Sequence, residues 1–405
     1  MKLPDDFISQ MSGMLDTQSL DELVAAIAEP SPTSIRLNTR CLTDEAKAEL
    51  TEAFTLTDES RIPWCSDGFY LDQRPSFTMD PLFHAGAYYV QEASSMYIAW
   101  LIQHYIGTND VTALDLCAAP GGKSTLLLSS LSAGSTLIAN EIVPRRASIL
   151  RENISKWNSG NSKWNSNNAI VTNNKPADFR KMDEVFDLIL CDVPCSGEGM
   201  FRKDETAIQE WSLQNVAMCS HRQREIISDI WHSLKPGGLM IYSTCTYNTS
   251  EDEENVKWIS QQLGADILPC LDKDEWNITH NLLPSENFSC CHFMPHKQKG
   301  EGFFCAILRK HGENDGQQVS INSKMLKSLN VLTLEDRMAD SIATVDIDHP
   351  TALQYLRGEA LKLGSTTPKG IVTITYRNMP LGKVKNIGNR ANNLYPKEWR
   401  IRKQI

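Results

Sequence analysis

The sequence predicts an α/β protein with a Rossmann-like, mostly parallel sheet, preceded by a small α+β module and followed by a second small module. Between residues 81 and 310, apolar runs alternate with turns and helical segments, which is typical of a parallel sheet with crossover helices. Residues 1–80 are more polar, with scattered Pro and Asp. The polar stretch 310–318 has the composition of a linker, so residues 319–405 form the third predicted module.

Composition narrows the class of protein. The chain has 405 residues, of which 41% are hydrophobic and 22% charged. No apolar run approaches the ~20 residues of a membrane span, and the first residues lack the apolar centre of a signal peptide. Its 11 cysteines include no short CxxC pair, which favours reduced thiols over a structural metal site or a disulfide framework. We therefore expect a cytoplasmic monomer that binds neither a metal nor a membrane.

Charge is distributed unevenly along the chain. The net charge is −10, which argues against indiscriminate binding of nucleic acid. From residue 369 onward, however, nine basic residues stand against the single acid Glu398, so this basic tail carries +8. The basic residues are Lys369, Arg377, Lys383, Lys385, Arg390, Lys397, Arg400, Arg402 and Lys403. Such a tail is typical of a surface that docks on a polyanion, although a solvated basic face would have the same composition.

Six apolar runs are the predicted strands of the central sheet. They cover residues 111–117, 136–141, 169–174, 186–192, 238–245 and 302–309. Between the second and third runs, the sequence SKWNS occurs at 155–159 and again at 162–166. We interpret the repeat as a duplicated loop insertion, with a base-stacking platform built on Trp157 and Trp164 as the alternative.

A glycine-rich turn follows the first predicted strand and precedes a helical run. Glycines let a backbone approach a ligand closely, and the free N–H groups of a helix start favour anionic groups. The position that a P-loop would fill with Gly is Cys117, and GxGxxG is absent, so a different adenosine ligand is indicated. The predicted cofactor loop consists of Cys117, Ala118, Ala119, Pro120, Gly121, Gly122 and Lys123.

Two acidic residues extend this predicted cofactor site. Glu141 ends the second strand, where a carboxylate can accept hydrogen bonds from both ribose hydroxyls of a nucleoside. Asp178 follows the third strand and is placed near the adenine edge, with a turn-forming Asp as the alternative.

Two cysteines lie where predicted strands end. Cys195 follows the strand that closes with Asp192, and Cys245 follows the strand after a Pro-Gly-Gly turn. Ligands of open α/β sheets bind at this edge, so both thiols should face one crevice. Buried structural cysteines are the alternative, and a disulfide or a metal pair is another. The polar surroundings of Cys195 and Cys245 favour reactive thiols, whereas Cys117, Cys191, Cys219 and Cys305 fit the buried class.

Together these motifs resemble the NOL/NOP/Sun family of RNA cytosine-5 methyltransferases. The resemblance rests on DLCAAPGGK (115–123), DVPCSGEG (192–199) and YSTCTY (242–247), and it extends to YYVQEASSM (88–96) and PHKQKGEGFFCAILRK (295–310). Residues 379–403 resemble the PUA-like C-terminal module of bacterial 16S rRNA methyltransferases of the RsmF type. The resemblance implies a class I S-adenosylmethionine-dependent methyltransferase fold and S-adenosylmethionine as the cofactor.

The chemistry of cytosine explains why two thiols are needed. Carbon 5 is a weak nucleophile until a thiolate adds to carbon 6, and a base must afterwards remove the carbon 5 proton so that the sulfur can leave. The sequence alone does not assign the two roles. The resemblance implies that Cys245 is the nucleophile and that Cys195 assists proton removal. We expect Asp192 to hydrogen-bond the nitrogen edge of cytosine, with a turn cap as the alternative, and the resemblance implies that it also borders the cofactor. Lys123 is expected to balance the charge near Asp192, with snorkelling from the helix start as the alternative.

The target base must leave its stack to reach such a crevice, so structured RNA is the expected substrate. Arg36, Asn38 and the basic tail are candidate contacts to the RNA backbone, with structural roles as the alternative. The resemblance favours 16S rRNA or the small ribosomal subunit as the partner. A tRNA cytosine-5 methyltransferase and a non-catalytic RNA-binding assembly factor are the other hypotheses.

Overall fold

A computed structural model describes residues 2–158, 169–284, 286–313 and 321–402. Within these ranges the chain forms three sheets, and no helix there is long and apolar enough to cross a membrane. The α-helices are α1 Asp5–Ser12, α2 Thr17–Ala28, α3 Asp44–Ala53, α4 Pro81–Ala85, α5 Tyr97–Tyr105, α6 Gly122–Ser130, α7 Pro144–Trp157, α8 Glu205–Glu210, α9 Leu213–Ile230, α10 Glu253–Trp258, α11 Ser323–Leu326 and α12 His349–Leu356.

Helix starts follow from local sequence. Asp16 accepts a hydrogen bond from the Ser19 N–H at the start of α2, and Ser212 does the same for Asn215 at the start of α9. Such caps satisfy backbone donors that the helix itself leaves unpaired. Shorter helical turns, mostly 3-10, cover Phe77–Met79, Ser94–Met96, Pro176–Lys181, Glu198–Met200, Trp231–Ser233, Ile259–Gly264, Asp274–Trp276 and Lys397–Trp399.

The N-terminal sheet is antiparallel, with strands in the order β2-β3-β1-β4. Its strands are β1 Thr33–Leu37, β2 Arg61–Ile62, β3 Cys65–Leu71 and β4 Tyr88–Val90. The last of these lies in the YYVQEASSM segment, so this sheet leads directly into the central one.

The central sheet has the order β10-β12-β9-β8-β5-β6-β7-β13, and β11 pairs with β12. Its strands are β5 Thr112–Asp115, β6 Thr136–Asn140, β7 Ala169–Thr172, β8 Phe186–Asp192, β9 Leu234–Thr244, β10 Ala265–Ile267, β11 Cys291–Phe293, β12 Phe303–Lys310 and β13 Val331–Leu332. The five neighbouring strands β7, β6, β5, β8 and β9 run parallel to one another. Strand β12 is antiparallel to both β9 and β10. This arrangement confirms the predicted α/β class I methyltransferase fold, and each of the six predicted strands is present.

Both faces of the central sheet are buried, which explains why its strands are continuous apolar runs. Successive residues of β8 point to opposite faces: Leu188 and Leu190 join one hydrophobic cluster, and Ile189 joins the other. Polar residues therefore concentrate where the strands end.

The C-terminal sheet has the order β14-β15-β16-β17. Its strands are β14 Ala343–Asp346, β15 Gly370–Tyr376, β16 Met379–Asn386 and β17 Ala391–Asn393. Side chains of this sheet share a hydrophobic cluster with the N-terminal sheet, in which Ile35 and Phe69 belong to the same group as Ile374 and Leu381. The first and third predicted modules are thus joined through one core.

The first 30 residues pack elsewhere. Phe7 of α1 and Leu23 of α2 share a cluster with Phe201, Trp211 and Tyr247 of the central part of the chain. The strand β13 also pairs with β7 of the central sheet, although it follows the predicted linker. The division at 1–80, 81–310 and 319–405 stays a prediction about separate domains, and residues 314–318 of the linker lie outside the described residues.

Candidate active site

Polar residues gather where the parallel strands β5, β8 and β9 end. Asp115 closes β5, Asp192 closes β8, and Cys245 directly follows β9. Strand β5 pairs with β6 on one side and with β8 on the other. The order of the strands along the chain therefore reverses direction across the sheet at β5. Such a topological switch point is where open α/β sheets bind ligands.

The predicted cofactor loop bridges β5 and α6 at this point. Gly121 has φ +115°, a left-handed conformation that favours glycine, and α6 begins at the next residue. The Ala118 N–H donates to the Asn140 carbonyl at 2.8 Å, and Arg146 Nη2 donates to the Ala119 carbonyl at 2.7 Å. Asn153 Nδ2 donates to the Pro120 carbonyl at 2.8 Å. The loop is therefore held from both β6 and α7.

Asp115 is a site residue that sequence reasoning missed. Its carboxylate is fully buried, and Ser124 Oγ donates to Oδ2 at 2.6 Å. The other oxygen, Oδ1, is buried and receives no hydrogen bond from any described residue. Burial raises the pKa of Asp115 to about 7. An orphaned carboxylate oxygen suits a ligand with an ammonium group, which the amino acid part of S-adenosylmethionine carries. The acid directly before a glycine-rich turn was the available signal.

Glu141 and Asp178 both already have protein partners. Glu141 is buried; its Oε1 accepts from the Val143 N–H at 2.9 Å, and Oε2 lies 3.5 Å from Arg146 Nη1. Asp178 Oδ2 accepts from Asn174 Nδ2 at 3.1 Å and from the Lys175 N–H at 2.9 Å. Asp178 thus caps a turn, as the turn-forming alternative predicted, and the Asn174 hydrogen bond lowers its pKa. Contacts of both residues with a nucleoside stay predictions.

Lys123 reaches across the crevice to Asp192. Its Nζ lies 2.8 Å from Asp192 Oδ2, and Ser243 Oγ donates to Oδ1 of the same carboxylate at 2.8 Å. The predicted charge balance between Lys123 and Asp192 is therefore present, and the lysine does not snorkel away from the site. Burial acts to lower the pKa of Lys123, but Asp192 and Cys245 outweigh it, so that pKa is raised.

The two predicted thiols are adjacent. Cys195 Sγ lies 3.1 Å from Cys245 Sγ, and both residues are half-buried free cysteines. The hydrogen bond to Cys245, reinforced by burial, raises the pKa of Cys195 well above its usual range. Cys195 therefore favours the protonated form. The division of roles that the resemblance implied stays a prediction.

The four cysteines that were predicted to be structural separate into two groups. Cys191, Cys219 and Cys305 are buried, as expected for structural thiols. Cys117 is only half-buried because it lies in the cofactor loop, although burial of its sulfur raises its pKa well above the usual range. A raised pKa makes Cys117 a poor nucleophile.

The predicted RNA contacts of Arg36 and Asn38 are wrong. Arg36 is buried and donates to Gln91 Oε1 at 3.0 Å and to Thr125 Oγ1 at 2.7 Å, while its guanidinium lies 4.4 Å from the centre of the Trp157 ring system. Asn38 is also buried and donates to the carbonyls of Gly86 and Trp157, both at 2.9 Å. Both residues therefore connect the N-terminal sheet with the helices beside the central sheet: Arg36 contacts α6 and α7, and Asn38 contacts α7.

The repeated SKWNS segment is only partly described. Residues 155–157 of the first copy end helix α7, and Trp157 is buried, so Trp157 forms no stacking platform. The loop insertion stays a prediction. Trp164 and the second copy lie outside the described residues.

The basic tail is mostly solvent-exposed. The exposed members are Lys369, Arg377, Lys385, Arg390, Lys397 and Arg402. Arg377 is nevertheless paired with Glu49 of α3, and Lys383 is half-buried and donates to the Ala339 carbonyl at 3.4 Å. Lys403 lies outside the described residues. A basic surface therefore exists on this sheet, although fewer side chains form it than the basic composition of the tail suggests.

Comparison with solved structures supports the fold. The chain is similar to a methyltransferase homolog protein from Pyrococcus horikoshii, at 25% identity and a TM-score of 0.62 over 75% of this chain and 94% of that one. It is also similar to NSun6 from Pyrococcus horikoshii, at 20% identity and a TM-score of 0.63 over 76% of this chain and 99% of that one.

Sequence comparison identifies the family. The chain is 36% identical to the ribosomal RNA small subunit methyltransferase F of Pectobacterium atrosepticum over 76% of its own length, and it spans 63% of that relative. The Citrobacter koseri protein of the same name is 28% identical over 98% of this chain and 96% of that relative. Profiles for the RsmF N-terminal domain and the RsmF PUA domain match residues 3–93 and 343–401. The profile for 16S rRNA methyltransferase RsmB/F matches residues 106–309, half of the chain, and membership supports S-adenosylmethionine as the cofactor. By these matches, together with the fold and the motifs at the strand ends, the chain belongs to the RsmB/F family of 16S rRNA methyltransferases.

Proposed function

We propose that this protein methylates carbon 5 of a cytosine in 16S rRNA, with S-adenosylmethionine as the methyl donor. The observation that carries the proposal is the pair of thiols 3.1 Å apart at the ends of β8 and β9. A single thiol would suffice for a structural role. Cytosine-5 chemistry needs one group to attack carbon 6 and another to help remove the carbon 5 proton.

The residues around the pair fit successive parts of this reaction. Cys245, near the Lys123 ammonium, adds to carbon 6, and a new S–C bond forms while carbon 5 gains electron density. S-adenosylmethionine supplies the electrophilic methyl group. Asp192 contacts the nitrogen edge of the base. The carbon 5 proton then leaves, the C6–S bond breaks, and the Cys245 thiolate is restored.

Cys195 assists the last steps of the proposed reaction. In the resting pair, the hydrogen bond between the two sulfur atoms and burial raise the pKa of Cys195. Once Cys245 is bonded to carbon, its hydrogen bond and its electrostatic interaction with Cys195 are lost, so the pKa of Cys195 falls. Cys195 then becomes able to act as a base near carbon 5.

The cofactor loop would hold the methyl donor. Residues 117–123 present a helix start, Asp115 offers its unpartnered oxygen to an ammonium, and Glu141 lies at the end of β6 for the ribose. Binding of a ribose at Glu141 would compete with Arg146 for the carboxylate.

The substrate assignment rests on the family and on the relatives named for the small ribosomal subunit. A methyl-transfer assay with radiolabelled S-adenosylmethionine tests it. We expect label in undermethylated small subunits or their 16S rRNA. Label in tRNA alone would indicate a tRNA cytosine-5 methyltransferase, and binding without any transfer would indicate a non-catalytic assembly factor.

The division of labour between the cysteines has its own test. Cys195→Ala should accumulate a denaturation-resistant protein–RNA adduct, because the carbon 6–sulfur bond forms and is not released. Cys245→Ala should form no adduct, although it should bind RNA as well as the wild type does. Electrophoresis in denaturant measures both, and adduct formation by Cys245→Ala would reverse the assignment.

A further inference from the structure

Two carboxylates are fully buried beneath the cysteine pair. Glu198 follows Cys195 by three positions, and Glu251 follows Cys245 by six. Neither carboxylate forms an ion pair with any described residue. Burying a carboxylate without a counter-ion is costly, and the hydrogen bonds that the carboxylate receives must offset that cost. The donors to these two acids therefore indicate what they hold in place.

Hydrogen bonds to these carboxylates link the two cysteine loops, that is, the segment from Cys195 to Gly199 after β8 and the segment from Cys245 to Glu251 after β9. The N–H of Ser196, next to Cys195, donates to Glu251 Oε2 at 3.0 Å. In the other direction, the N–H of Tyr247, two residues after Cys245, donates to Glu198 Oε2 at 2.6 Å. Each loop thus supplies a carboxylate that receives a backbone donor of the other loop.

Asn248 joins the two carboxylates. Its Nδ2 donates to Glu198 Oε1 at 3.0 Å and to Glu251 Oε1 at 2.9 Å. The Gly199 N–H also donates to the Cys245 carbonyl at 2.8 Å, which adds a direct bond between the loops. We call Glu198, Glu251 and Asn248 the carboxylate clamp.

The other partners of the clamp are also donors. Trp211 Nε1 donates to Glu198 Oε1 at 3.0 Å, and Gln223 Nε2 donates to Glu251 Oε2 at 2.8 Å. A carboxylate can accept all these bonds, whereas an amide in its place would turn its NH₂ group toward a donor. Glutamine substitution therefore keeps the shape of the side chain and breaks at least one bond between the loops.

We propose that the carboxylate clamp fixes the separation and orientation of the Cys195 and Cys245 sulfur atoms, so that Glu198 and Glu251 are positioning residues for the methyl transfer. The inference rests on the proposed function for its kinetic consequence. Its structural content, the geometry of the thiol pair, is independent of any RNA substrate.

The kinetic test compares three glutamine variants. Glu198→Gln and Glu251→Gln are expected to lower kcat for methyl transfer about 10- to 100-fold, since small misplacements of reacting groups have effects of that order. The KM for S-adenosylmethionine should change less than about threefold, because the clamp does not touch the cofactor loop. Glu253→Gln is the matched control, because Glu253 is fully buried in the same segment and lies 2.8 Å from His292 Nε2. Its hydrogen-bond partners among the described residues are Leu282, Cys290 and His292, and none of them belongs to a cysteine loop. Glu253→Gln should retain kcat within about threefold of the wild-type value, even where its melting temperature decreases as much as those of Glu198→Gln and Glu251→Gln.

A second test measures the thiol pair without RNA. The oxidant diamide takes two electrons and two protons from Cys195 and Cys245, is itself reduced to the hydrazine, and leaves a disulfide that peptide mass mapping detects. In wild type and Glu253→Gln this cross-link should form quickly, and in Glu198→Gln or Glu251→Gln at least tenfold more slowly relative to alkylation of the same thiols by iodoacetamide. If a glutamine variant fails to fold, Asn248→Ala removes the shared donor and should show the same slowing.

The outcomes separate the two proposals. Equal cross-linking rates in all folded variants, or an equal decrease of kcat in Glu253→Gln, would overturn the clamp. An inactive wild type that still shows the expected pattern of cross-linking would instead overturn the proposed function and support the clamp.

Discussion

The substitution Asp115→Asn tests the buried carboxylate of the cofactor loop. Asn keeps the size of the side chain and can still accept the hydrogen bond from Ser124 Oγ. It removes an acid whose pKa is raised by burial from the ordinary 3.8 to about 7. The folded state of the wild type therefore favours protonated Asp115, and its advantage is complete below pH ~3.8 and is lost as the pH rises through about 7.

The magnitude follows from this shift. A pKa difference of about 3 units corresponds to about 4 kcal/mol of folding free energy at high pH. Linkage between the two pKa values leaves about 2 kcal/mol of this cost at pH 5 and nearly all of it at pH 8. Relative to wild type, Asp115→Asn should therefore gain about 2 to 3 kcal/mol of unfolding free energy between pH 5 and pH 8.

Urea unfolding measures this change in the stability difference between Asp115→Asn and wild type. Both proteins are unfolded at pH 5 and at pH 8, at one salt concentration and without cofactor. Asp16→Asn is the control of opposite sign, because the exposed Asp16 caps α2 and the hydrogen bonds from Ser19 lower its pKa. Its variant should be less stable than wild type at pH 8. A stability change of Asp115→Asn that is the same at both pH values would refute the reasoning.

The same substitution should weaken cofactor binding. A bound ammonium beside Asp115 would compensate the buried charge, so the carboxylate that destabilises the free protein stabilises the complex. We expect Asp115→Asn to bind S-adenosylmethionine about 10- to 100-fold more weakly, a decrease of about 1.4 to 3 kcal/mol in binding free energy measured by calorimetry. Unchanged affinity would remove Asp115 from the cofactor site.

Two further predictions test the outer modules. Arg36→Met should lower the unfolding free energy by about 2 to 4 kcal/mol, because Gln91 and Thr125 lose their hydrogen-bond partner. The Kd for RNA in a filter-binding assay should not change. A large rise in this Kd at unchanged stability would show that Arg36 does contact RNA. Lys385→Ala with Arg390→Ala should raise the Kd for RNA, keep kcat, and reduce the slope of log K against log salt by about 0.7 to 0.9 for each phosphate group that is no longer neutralised; a slope equal to that of wild type would exclude these side chains from the RNA backbone.

Strand periodicity and strand-end chemistry were enough to predict the central sheet and the position of its crevice. The six predicted strands are apolar because both faces of the sheet are covered, so their pattern depends little on distant contacts. The adjacency of Cys195 and Cys245 followed in the same way, since the carboxyl ends of neighbouring parallel strands meet at one edge.

Residues whose role depends on long-range packing could not be predicted in this way. Arg36 has the positive charge that an RNA contact needs, but its hydrogen-bond partners Gln91 and Thr125 lie 55 and 89 residues further along the chain. No local pattern in the sequence distinguishes such a buried arginine from an exposed one. Asp115 is the opposite case, because its strand-end position was visible and only its unpartnered oxygen required the structure.

Helix α1 packs against a hydrogen-bond partner of the carboxylate clamp. Phe7 of α1 packs edge-on against Phe201 and Trp211, with ring centres 5.3 Å and 5.6 Å apart. Trp211 in turn donates to Glu198 of the carboxylate clamp. A well-packed aromatic contact restricts the tryptophan to the orientation that this hydrogen bond needs. We therefore expect helix α1 to support the orientation of Trp211 that its hydrogen bond to the carboxylate clamp needs.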